Sequence, residues 1–275
     1  MYTQIVGKIC LALTPKTNHF WNIAFQVTPR GFATPTMTAG DRAFTIAFDF
    51  VAHQLVIHDS GGRTESIALA PRTVADFYRI LMDTLRRMGI QVRIWPMPVE
   101  VPNPIRFTED ETHRSYNPEA AETLWRMYLA VKPVFDDFRC SFIGKCSPIH
   151  FFWGSFDLAV SRFSGRKAPE RPGADSITRE SYSHEVISHG FWLGSGSVQE
   201  PAFFAYAAPE PPGFKTASIL PGEAFYSTDM SIFILPYEAT RTGSAPAESL
   251  KTFLNTTYDA GASLAGWERA ELERR

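Results

Sequence analysis

The chain has 275 residues, 44% hydrophobic, 20% charged and 13% aromatic, which excludes a disordered tail and a small disulfide-stapled module. Lysine and arginine number 27 against 29 acids, a formal net charge of −2, so no basic excess draws a nucleic-acid backbone. Three cysteines, Cys10, Cys140 and Cys146, form no even framework and predict reduced thiols in a cytoplasmic protein. No apolar run is long enough for a membrane span or a signal peptide.

From the N-terminus, Ile5, Ile9 and Leu13 recur at every fourth residue and predict an amphipathic helix that begins at or before Met1. His19 to Val27 alternates, with His19, Trp21, Ile23, Phe25 and Val27 on one face, and predicts a strand. Phe44, Ile46, Phe48 and Phe50, then Leu55 to Ile57, then Ile67 and Leu69 continue it as an antiparallel meander turning at Asp59-Ser60-Gly61-Gly62. From Arg72 to Met88 the period becomes helical, with Val74, Phe77, Tyr78, Leu81, Leu85 and Met88 in one stripe, Thr73 as cap and Gly89 as stop.

Ile90 to Trp95 reads as a further strand, and Pro96, Pro98, Pro102 and Pro104 mark an extended linker. A second helix is predicted from Pro118 to Arg139, kinked at Pro133. Strands then return at His150–Phe163, Ala202–Ala207 and Ile232–Leu235, before a closing helix at Leu250–Leu264. The fold class is therefore α+β, with antiparallel sheets and packed helices in one unit spanning the chain. Phe20 with Phe152, Trp21 with Trp153 and Arg30 with Arg162 repeat at a constant offset. They suggest meander-plus-helix halves over 14–95 and 147–266, bridged by 96–146.

The segment CSPIHFFWGSFDLAVSRFSGR carries the densest chemistry. Alternation puts Trp153, Ser155, Asp157 and Ser161 on one face, where they would line a ligand pocket or form a solvated sheet face. His150 and His19 open their strands beside aromatics, as a facing pair for metal binding or proton transfer, or as buried core histidines. Arg162 and Arg30 have the fork that clamps a carboxylate or phosphate, or pair with a neighbouring acid. His184, Glu185 and His189 lie close together, but His184 and His189 are five apart rather than the four a zinc-binding helix needs. No metal site is assigned, although two histidines and a carboxylate could form one. The segment Gly144 to Ser147 lacks the first glycine and the hydroxyl of a phosphate loop, and neither G-x-S-x-G nor GxGxxG occurs.

The blocks TQIVGKICLALTP, GDRAFTIAFDF, RIWPMPVEVP, FIGKCSPIHFFWGSFDLAVSRFSGR, YSHEVISHGFW and PAFFAYAAPEPPGF together resemble the bacterial domain-of-unknown-function family 5996 nearly end to end. The resemblance implies no activity or cofactor. It implies a further helical stretch before Thr3 in relatives and a residue other than histidine at position 189. That leaves His150, Trp153, Asp157, Arg162, His184 and Glu185 as the stronger candidates. The expectation is a small-molecule enzyme or binding protein with an aromatic-lined pocket between its halves. In it Asp157 or Glu185 acts as acid or base, His150 and His184 carry protons, and Arg162, Trp153, Ser155, His19 and Trp21 hold the ligand. The alternative is an interaction module docking a partner through Pro201 to Gly213.

Overall fold

The computed structural model describes residues 1–274 and is a mixed α+β structure with two six-stranded antiparallel sheets. The chain divides into two compact units, residues 1–129 with 151–155, and 130–150 with the described residues from 156 onward.

In the first unit, helix α1 (Tyr2–Leu13) buries Ile5, Val6, Ile9 and Cys10 completely. Gly7 is required on this helix, because a Cβ there would stand 2.1 Å from the indole of Trp153. Trp153 in turn donates from Nε1 to the Ile23 carbonyl at 2.9 Å. The expected strand over His19–Val27 is mostly a 3-10 turn, Asn18–Ile23, with His19 and Phe20 at φ 55 and 57; extended backbone returns at Ala24, Phe25 bridges Phe151, and Gln26–Thr28 (β1) forms a strand. The reason is local. Asn22 accepts from the Thr17 amide and donates to Thr14 Oγ1, side-chain bonds that compete with a ladder.

Strands β2 (Gly31–Ala33), β3 (Met37–Ala39), β4 (Arg42–Asp49), β5 (Gln54–Asp59) and β6 (Thr64–Ala68) form the expected meander, in the order β1-β2-β4-β5-β6 with β3 also on β4. Its inner face contains Phe44, Ile46, Phe48, Leu55, Ile57 and Ile67, each at most 5% exposed. Helix α2 (Val74–Arg87) is capped by Thr73, whose hydroxyl accepts from the Asp76 amide, and Phe77, Leu81 and Leu85 are fully buried. Ile90–Trp95 is not a strand. Ile90 and Ile94 are buried, but the prolines from Pro96 onward lack the donors that would extend a ladder. Helix α3 (Pro118–Cys140) contains Pro133 and crosses the boundary between the units.

The predicted strand His150–Phe163 is interrupted at residues 153–156, leaving β7 (His150–Phe152) and β8 (Asp157–Lys167). Phe156, at φ 63, and the small Gly154 allow the chain to turn there. This turn cancels the face parity that grouped Trp153 and Ser155 with Asp157. The second unit continues with α4 (Ser176–Ser181), β9 (His184–Trp192), β10 (Ala202–Ala208), β11 (Phe225–Ser227), β12 (Ile232–Pro236), α5 (Tyr237–Arg241), α6 (Pro246–Leu264) and α7 (Arg269–Leu272). Its sheet runs β11-β12-β10-β9-β8-β7.

Candidate functional site

Period-two geometry gives β8, β9 and β10 two different faces. One carries Leu158, Val160, Arg162, Ile187, His189, Phe191, Phe203 and Ala205, all at most 1% exposed. Arg162 is caged there. Its guanidinium carbon lies 3.4 Å from the Phe138 ring centroid and 4.3 Å from that of Tyr258. It also donates to the Phe138 carbonyl and to Ser141 Oγ. Desolvation brings its pKa down to about 10. Beside it, His189 shares a hydrogen with Thr257 Oγ1 at 3.0 Å and packs edge-on against Phe138. Burial and the Arg162 charge hold this imidazole neutral.

The other face presents hydroxyls. Strand register sets Ser161 opposite Ser188 and Ser188 opposite Tyr206. Ser147 Oγ accepts from the Ser161 amide at 2.9 Å, and the Ser161 and Ser188 hydroxyls are 2.9 Å apart. Tyr206 bonds Ser188 and accepts from the Tyr182 hydroxyl at 3.2 Å. Burial, then Tyr182 and Asp157, push the Tyr206 phenol well above its ordinary pKa. Every hydroxyl of this row has a partner, so it is a satisfied network.

At the end of β9 and β10 the same sheet forms a cleft of about 290 Å3, lined by Glu185, Ile187, Ala207, Glu210, Leu264 and Trp267 among others. The Glu185 carboxylate is fixed on one oxygen. Its Oε2 accepts from Arg166 Nε at 2.9 Å, Arg166 Nη2 at 2.7 Å and Ser164 Oγ at 2.9 Å, and none of these bonds goes to Oε1. Arg166 also donates to the Ala265 and Gly266 carbonyls at 2.6 and 3.0 Å, just past α6. Glu210 accepts from the Tyr226 hydroxyl, and burial, followed by this bond to a carboxylate, pushes the phenol up to about 12. A larger groove of about 710 Å3 runs along α2 in the first unit. Two of its three arginines pair with acids one turn away, Arg79 with Asp76 and Arg86 with Asp83, as on a solvated helix face, while the Nε of Arg72 is buried without a hydrogen-bond partner.

The predicted site residues therefore have several fates. Glu185 lines the cleft, and His184, its neighbour, bonds Ser183 Oγ through Nδ1 at 3.0 Å. His150 is buried at the start of β7, and desolvation followed by the Arg139 charge lowers it to about 4, so it is neutral at physiological pH. Asp157 is buried at the start of β8 opposite Trp192. Ser155 is exposed in the turn before it. Trp153 is buried in the first unit, where the His19 and Trp21 rings are 5.2 Å apart. Arg30 pairs with Asp49 at 2.7 Å on the surface. Among the described residues no group of three His, Cys, Asp or Glu could hold a metal ion. Burial raises the Cys10 and Cys146 thiols to about 11, away from the nucleophilic thiolate. Sequence reasoning passed over Arg166, Glu210 and Trp267. Glu210 lies inside the proline-rich segment set aside for docking, and Arg166 ends the motif that drew attention to Arg162.

Residues 1–274 match the family of unknown function DUF5996 as a single stretch. The chain belongs to that family. No curated protein and no solved structure matches it. Among the described residues of this DUF5996 chain no helix is long and apolar enough to cross a membrane.

Proposed function

We propose that this DUF5996 protein binds a small organic molecule in the cleft of its second unit, with Glu185 as the polar anchor. One observation carries the reading: a carboxylate immobilised through one oxygen by three donors, its other oxygen unengaged by them, lines a largely apolar cleft. Ligand sites combine that kind of wall with a few fixed polar groups. Preorganisation lowers the entropy a ligand must overcome. Cytoplasmic location accompanies this reading, supported by three free cysteines.

The docking alternative finds less support. Of the aromatic residues from Pro201 to Gly213, Phe203 is 1% exposed and Phe204 and Tyr206 are half-buried, so none presents a fully exposed ring to a partner.

Ligand-observed NMR with a fragment mixture tests the proposal on the full chain. Fragments should bind the wild type and be lost on Ala207→Phe, which fills the cleft, with circular dichroism confirming the fold. Binding that survives in Ala207→Phe, or no binding at all, overturns it.

A further inference from the structure

We infer that the ligand of this cleft is an organic cation, an ammonium or guanidinium on a short apolar body; this rests on the cleft being the binding site. The first argument is charge. Two carboxylates, Glu185 and Glu210, line the cleft, and only Glu185 has a cationic partner among the described residues. Glu210, at the exposed rim, is bonded by the neutral Tyr226 hydroxyl and has no ion-pair partner among the described residues.

The second argument is the protein's own occupant of the adjoining corner. Arg166 already places a guanidinium against Glu185 Oε2 and the carbonyls of Ala265 and Gly266. Leu264 and Ala265 of the rim lie at the C-terminus of α6, a 19-residue helix whose last carbonyls carry the negative end of its dipole. The corner therefore accepts cationic nitrogen donors and repels an anion.

The third argument is shape. Ile187, Ala207, Leu264 and Trp267 give the cleft an apolar lining suited to a carbon skeleton, with Leu264, 46% exposed, offering the most open surface of them. A free inorganic cation would leave that surface unused, and a carboxylate ligand would face the like charge of Glu210, since Arg166 already pairs with Glu185. A primary ammonium with an aliphatic or aromatic tail satisfies both halves of the cleft.

Benzylammonium, benzyl alcohol and benzoate are nearly isosteric and separate the cases. Titrated into the full chain and followed by calorimetry, benzylammonium should bind at least about tenfold more tightly than the alcohol. That margin should collapse in Glu210→Gln and shrink with added salt. If the alcohol or benzoate binds as tightly as the amine, or if the margin persists in Glu210→Gln, the inference falls. The cleft reading then still stands wherever Ala207→Phe abolishes that binding. Should all three probes fail while neutral fragments bind the wild type, the cation inference alone is overturned; if no fragment binds, the cleft goes with it.

Discussion

The hydroxyl row across β8, β9 and β10 and the cleft at the end of β9 and β10 stand on one sheet but treat their polar groups oppositely. In the row each hydroxyl meets another hydroxyl or an amide, from Ser147 through Ser161 and Ser188 to Tyr206 and Tyr182. In the cleft, Glu185 uses one oxygen and Glu210 has a hydroxyl but no cation. A polar group that is fully partnered inside the fold contributes to that fold; one that is held in place with capacity left over can contribute to binding. Polarity alone therefore does not mark a site. The number of acceptors already used does.

The comparison can be broken from its structural side first. Arg162→Ala removes a cation caged by three rings and orphans the Phe138 carbonyl, so it should cost about 3 kcal/mol or more; a urea midpoint close to wild type would show the cage to be incidental. Ser188→Val strips the middle of the hydroxyl row, leaves Ser161 and Tyr206 short of a partner, and should cost about 1–3 kcal/mol in the same assay.

Two of the three buried histidines, His150 and His189, sharpen the same contrast through pH. His150 is held at about 4 and His189 is lowered too, both below the ordinary value of 6.5. The unfolded chain binds their protons first, so their neutral burial costs nothing above about pH 6.5. Stability should fall as pH drops below that value, with His150 contributing down to about 4. Denaturation followed at pH 7, 6 and 5 checks this, and His189→Gln should flatten the slope relative to wild type.

The smallest stability effect belongs to the cleft. Glu185→Gln breaks a pair with Arg166, whose side chain is 47% exposed, and should shift stability by about 1 kcal/mol or less. A calorimetric titration with benzylammonium should nevertheless show weakened binding. A large loss of stability with unchanged binding would reverse the assignment and make Glu185 part of the framework.

Helix α2, with its stripe, its Thr73 cap and the Gly89 stop, was legible because each signal lies within one or two turns of the chain. The meander β4-β5-β6 was equally plain, since alternation and the Asp59–Gly62 turn are local as well. Where alternation misled, at His19–Val27 and His150–Phe163, single residues decided: Asn22 bonding back to Thr14, and Phe156 turning left-handed. Glu185 was visible as an acid beside a histidine, but its role was not.

The amino-acid sequence by itself determined the α+β class, the principal helices and most of the buried stripes, because periodicity is written into neighbouring residues. Only the tertiary structure decided that Arg162 is a caged core cation while Arg166, four residues on, holds Glu185 at a cleft. It also brought Glu210 and Trp267 to that same cleft. These partners are far apart along the chain, and their meeting depends on strand register and on the packing of α6, which no local pattern encodes.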